Sequence, residues 1–223
     1  MTNTDFLFHQ KWKIGLALIL VISLTFLDKI IPPFGIPISL LMMFLLFRWK
    51  KLPIRLLGLY APKNWTKIIL LGLIIGILIQ VFSTFVQTPI LEWLGIAKAD
   101  LSNYETIEGN NSMLILFLVI SWTTAGLGEE LIYRAFFLGQ LVVFFENSKY
   151  KWIISLSISS IIFGLLHFNN GLEAIIGTGI TGFFLGLVYL KTDRNIWAAY
   201  IAHGIANTIA VLLIYSGVYK DLV

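Results

Sequence analysis

The 223 residues carry a formal net charge of +4 and no cysteine; 58% are hydrophobic and 13% charged. Soluble domains hold roughly 45–50% apolar and roughly 25% charged residues, so this balance excludes a disordered chain, a disulfide scaffold and an ordinary cytosolic enzyme. The fold class it implies is all-α: a polytopic membrane helical bundle, a single integral membrane domain over 1–223.

The first apolar run is Ile14–Ile31, flanked by Lys11 and Lys13. Asp28-Lys29-Ile30-Ile31-Pro32 closes it without a small-residue cleavage site, so it reads as an uncleaved span and not a signal peptide. Asp28 beside Lys29 reads as an interfacial pair at the span end. Pro32, Pro33 and Gly35 make a tight turn into Phe34–Phe47. Lys67–Gln87 is the third span. Met113–Phe145 is too long for one straight crossing, about 50 Å at 1.5 Å per residue against a core of about 30 Å. It must bend, tilt or fold back, with Gly126 and Gly128 as the weak point. Trp152–Phe168, Ala174–Leu190 and Ile196–Tyr215 complete seven transmembrane helices, or eight if 113–145 is a hairpin. No repeat or inverted half is visible, which weakens a transporter reading.

Loop charges set the orientation. Arg48, Lys50, Lys51, Arg55, Lys63 and Lys67 face no acidic residue in 48–67, whereas 88–112 holds Glu92, Asp100, Glu105 and Glu108 against Lys98. The positive-inside rule puts the first loop and the N-terminus in the cytoplasm. A single bent 113–145 span leaves Lys149, Lys151, Lys191 and Arg194 inside as well, which favours seven. The excess positive charge then meets anionic lipid headgroups, not nucleic acid. The same topology puts Glu129 and His203 toward the cytoplasmic half and His167 near the external end.

Ionisable residues at membrane depth are costly and usually face the protein interior. Glu129-Glu130-Leu131-Ile132-Tyr133-Arg134 places Glu130 and Arg134 at i,i+4, able to pair, with Glu129 turned away. An unpaired carboxylate at low dielectric suits a general base. The alternative is a Glu–Arg clamp that only holds a kinked helix. His167 follows Phe163 by four residues, and His203 precedes Asn207 by four; either histidine alone would be a packing residue. Together with Glu129 they supply a base, a water holder and oxyanion donors. Glu129, His167 and His203 would also make a zinc set with an open position, although HExxH is absent.

The order EExxxR, FxxxH, HxxxN, each in or beside an apolar span, resembles the CAAX-protease and bacteriocin-processing (CPBP or Abi) family of intramembrane proteases. The resemblance covers the motif-bearing half, 113–216. Tyr133 stands where the family often has Phe, and Ala135 where it often has Gly. The resemblance implies hydrolysis of a peptide bond in a membrane-associated peptide or protein. Glu129 would activate the water, His167 position it, and His203 with Asn207 stabilise the oxyanion, while Glu130 and Arg134 hold the geometry. It leaves open prenyl-protein cleavage, peptide processing and self-immunity, and both a zinc-dependent and a metal-free, glutamate-activated reaction; no required cofactor is the favoured reading. A bacterial plasma membrane is the expected location. The competing expectations are a catalytically silent scaffold regulating a partner such as a sensor kinase, and a small-solute carrier.

Overall fold

The computed structural model describes residues 10–31 and 33–219. The backbone is helical almost throughout, with no strand among the described residues. We label the main helices α1 (Lys11–Thr25), α2 (Gly35–Trp49), α3 (Trp65–Trp93), α4 (Asn111–Phe144), α5 (Lys151–Leu165), α6 (Leu172–Lys191) and α7 (Ile196–Tyr215). By length and composition α3, α4, α6 and α7 can each cross a membrane; α2 and α5 are shorter apolar helices. Large apolar side chains such as Leu41, Ile74, Phe85 and Ile115 remain outside the packed interior. In water that surface would drive aggregation; in lipid it is the outer wall. The chain is an integral membrane protein.

Apolar side chains gain little by leaving lipid for a protein interior, so helix association here rests on close backbone approach at small residues. Gly72 and Gly76 of α3 lie against Ala198, Ile201, Ala202 and Ile205 of α7; a methyl added at Gly72 would come within 2.6 Å of Ile201, and one at Gly76 within 2.6 Å of the Ala202 carbonyl. Gly164 of α5 meets the backbone of Ile175 and Gly179 on α6. One cluster of buried apolar residues runs from Ile14 of α1 to Ala199 of α7. A smaller one joins Ile79, Leu185, Ala202 and Ala206 of α3, α6 and α7.

The stretch expected to bend or fold back is one continuous helix of 34 residues, not a hairpin. It adapts by widening: Ser121–Gly128 and Glu130–Leu138 are π-helical, with Glu129 between them. The i→i+5 turn advances less per residue, so the helix is shorter than its residue count suggests. Gly126 and Gly128 serve this geometry and do not break the chain. A Cβ at Gly126 would sit 2.6 Å from the carbonyl of Ser121, five residues back, and one at Gly128 would strike Ile36 of α2.

Both ends of the bundle are stitched. At the basic end, Tyr60 donates its hydroxyl to the Asp193 carbonyl at 2.8 Å, while Asn195 and Trp197 donate side-chain N–H groups to the Tyr60 carbonyl. At the acidic end, the backbone N–H of Asp100 donates to the Asn170 carbonyl and the Asn170 amide donates back to the Asp100 carbonyl. Asp28 is a helix cap: its carboxylate accepts from the backbone N–H groups of Gly35 and Ile36, which open α2. The Lys29 side chain of the expected pair, and Pro32 of the expected turn, lie outside the described residues.

Gly76→Leu is expected to destabilise the fold by about 1–3 kcal/mol through overpacking against α7. Gly15→Leu, whose position has open space around it, is the control. Thermal unfolding in detergent, followed by loss of the monodisperse peak, reads the difference.

Candidate active site

The site forms where α4 meets α5, α6 and α7. Glu130 is fully buried and Arg134 nearly so, and their side chains pair at 3.2 Å (Nη1 to Oε1). A carboxylate in this interior needs both a countercharge and hydrogen-bond donors. The second donor is His203 of α7, whose Nδ1 lies 2.9 Å from the same Oε1. Since Glu130 accepts, His203 Nδ1 carries the hydrogen, and its Nε2 is the free-facing nitrogen. That nitrogen lies 3.9 Å from Glu129 Oε2. One imidazole therefore spans the two carboxylates of the diacidic motif.

The two glutamates are not equivalent. Glu130 is locked; its side chain is 0% exposed, against 14% for Glu129. Two carboxylates against one guanidinium leave one negative charge in excess.

Arg134 is held on three sides. Nη2 donates to the Gly182 carbonyl of α6 at 3.3 Å, and its guanidinium lies over the Phe163 ring at 4.3 Å. Gly182 is small for this reason, because a Cβ there would meet Phe163 at 2.8 Å and Arg134 at 3.5 Å. Phe163 also stands edge-on to His203, at 6.0 Å between centroids, and to His167, at 5.7 Å. Tyr133 locks the other side of α4: its hydroxyl shares a hydrogen bond with Thr25 of α1, and its carbonyl accepts from Ser159 of α5.

His167 lies beyond α5 and not within it. The helix ends at Leu165, and His167 leads a single 3-10 turn, with Nδ1 3.3 Å from the Phe163 carbonyl. Fifteen residues of α5 reach only about 22 Å, so its far end stops short of a core of about 30 Å. His167 shares the Phe163 wall with His203. Asn207 is one turn beyond His203 on α7 and half-buried. Among the described residues no group of three His, Asp or Glu side chains is placed to hold a metal ion. Glu129, His167 and His203, as placed, do not fit a three-ligand zinc site.

One residue that feels the charge of the site was invisible in the sequence pattern. Tyr104, in the 3-10 segment Ser102–Ile107, is half-buried with its ring edge-on to Phe117 at 5.8 Å. Burial, and then the negative charge of Glu129, push its phenol above the ordinary value. No spacing rule links a loop tyrosine to a motif in the next span.

Fold and site together define a helical membrane protein with a buried glutamate–histidine–arginine cluster. Residues 111–209 match the family model described as type II CAAX prenyl endopeptidase Rce1-like. The chain is also 31% identical over 108 residues to an uncharacterized protein of Mycoplasma capricolum subsp. capricolum. That alignment covers 48% of this chain and 30% of the relative, so the chain matches under a third of the relative's length. No solved structure matches the chain.

Arg134→Ala is expected to lower folded yield sharply, because an unpaired buried Glu130 costs about 3–5 kcal/mol. Glu129→Gln is expected to leave yield near wild type. Size-exclusion profiles of the two variants, purified in parallel, decide it; equal losses would contradict the division between the glutamates.

Proposed function

We propose that the chain is an intramembrane endopeptidase that hydrolyses a peptide bond of a membrane-associated peptide or protein. The observation that carries this reading is the His203 bridge, which pins one nitrogen on Glu130 and aims the other at the accessible Glu129. A purely structural clamp explains Glu130 and Arg134 but leaves Glu129 and the open nitrogen without a role.

In this reading Glu129 takes a proton from water as its oxygen attacks the carbonyl carbon. The C–O bond forms and the carbonyl oxygen becomes an oxyanion. Asn207 donates to that oxygen, as does His203 through Nε2 when both its ring nitrogens carry hydrogen, as the family resemblance implies, and His167 positions the water. The C–N bond then breaks and the proton held by Glu129 passes to the leaving amine. Arg134, Gly182 and Phe163 touch none of the reacting atoms; they fix Glu130 and, through it, the His203 ring. With the basic end cytoplasmic and the acidic end external, the N-terminus lies on the cytoplasmic side of a bacterial plasma membrane, and anionic headgroups border the 48–67 segment.

The test uses purified protein in proteoliposomes, offered peptides with and without a C-terminal prenyl group. Mass spectrometry is expected to find products that wild type forms and Glu129→Gln does not, a loss of at least roughly 10²-fold. Identical product sets from both proteins would refute the peptidase reading.

Since Glu129 supplies the base, turnover is expected to survive exhaustive chelation. Loss of activity on chelation, restored by zinc and accompanied by one zinc per chain that His167→Ala abolishes, would reverse this.

A further inference from the structure

A second polar cluster lies away from the glutamate–histidine site, where α3 meets the first turn of α6. Glu173, Gln87 and Thr88 are each more than nine-tenths buried there. The Thr88 hydroxyl donates to Glu173 Oε1 at 2.8 Å. One turn along the same face of α6, the Gln87 side-chain amide packs so closely on Gly177 that a Cβ there would strike its nitrogen. Two successive residues of α3 thus face positions i and i+4 of α6. Pro89 allows this, because it donates no N–H and disfavours a regular α-turn before it. Ser83–Gln87 is π-helical, with the Thr88 N–H bonded to the Ser83 carbonyl five residues back. A wider turn separates successive side chains by less rotation, so Gln87 and Thr88 meet one neighbour.

The cluster is rich in oxygen and short of positive charge. Among the described residues the ion pairs join Lys98 with Glu92, Arg134 with Glu130, and His203 with Glu129 and Glu130; none includes Glu173. Gln87 Oε1 is buried without a hydrogen-bond donor. The N-terminus of α6 offsets part of the Glu173 charge, by the equivalent of about half an elementary charge. A buried carboxylate otherwise needs a countercharge, and a buried acceptor needs a partner. Glu130 meets that demand with Arg134 and His203, whereas Glu173 has one hydroxyl.

We infer that Glu173, Gln87 Oε1 and Thr88 Oγ1 form a binding site for a small monovalent metal cation such as sodium. Carboxylate, amide carbonyl and hydroxyl oxygens are hard ligands and suit hard cations. The single carboxylate sets the valence. A divalent ion beside Glu173 alone would leave a positive charge uncompensated in the same interior. Among the described residues no group of three acidic or histidine side chains is placed to hold one. Glu173 follows Asn170, whose side chain holds the Asp100 loop at the acidic end. A cation there ties α3 to α6 close to the His167 turn. The inference does not depend on the peptidase reading.

Thermal unfolding of the whole chain in detergent tests it, with sodium chloride replaced stepwise by choline chloride at constant ionic strength. Wild type is expected to lose about 4 °C or more of Tm as sodium is withdrawn, reversibly and with saturation. Glu173→Gln keeps the shape and removes the charge, and is expected to abolish the sodium dependence. Glu105→Gln, at an exposed carboxylate of the acidic loop, is expected to keep it. Where Glu173→Gln yields no folded protein, Gln87→Met takes its place. It removes one oxygen, and the sodium concentration at half-effect is expected to rise about 10-fold. A wild-type Tm indifferent to sodium assigns the cluster to a proton or a water and overturns the cation site. A response to calcium in place of sodium, or one that Glu173→Gln or Gln87→Met leaves intact, overturns it as well.

Discussion

The buried carboxylate of Glu130 is the constraint on which the structure depends. An ion pair in this interior is costly unless a countercharge and a hydrogen-bond donor stand beside the carboxylate. Arg134 answers the charge, and the His203 ring supplies a hydrogen. Each partner then imposes a condition elsewhere. Arg134 requires the Gly182 carbonyl and the Phe163 face, which fixes α6 and α5 against α4. His203 requires α7 at one rotation, which the close approach at Gly72 and Gly76 holds from the α3 side. The arrangement of four helices follows from stabilising one negative charge.

Phe163 shows why an apolar residue belongs to a polar motif. Its ring contacts the guanidinium of Arg134 and stands edge-on to His167, His203 and Tyr133. It excludes water from the ion pair while leaving Glu129 reachable. The difference between the glutamates is therefore one of solvent access, set by packing, and not of chemical type.

Much of this was legible beforehand, for physical reasons. Membrane helices announce themselves through composition, and the spacing between Glu130 and Arg134 implies their contact whatever the helix type. The three motifs pointed to a common site because isolated ionisable groups in a bilayer demand partners. Three features were not legible. The π-helical widening of α4 depends on what packs around Gly126 and Gly128, which sequence spacing does not encode. The early end of α5, which frees His167 from the helix, falls inside an unbroken apolar run. The role of Asp28 as a cap on α2 needs the turn geometry of Gly35, and the adjacent lysine pointed instead to a local pair.

The stitch at the basic end bears on how the chain is made. Tyr60 bonds to Asp193, Asn195 and Trp197, and the Asn195 bond alone spans 135 residues. At translation rates of roughly 5–20 residues per second, the Tyr60 turn waits about 7–27 s on the ribosome before its partner is synthesised. During that interval the glycine face of α3 is inserted without α7 beside it, and lipid or the membrane-insertion machinery must occupy it. Pairing of α3 with α7 is therefore a late event, and the buried carboxylate of α4 waits for α7 to bring its histidine.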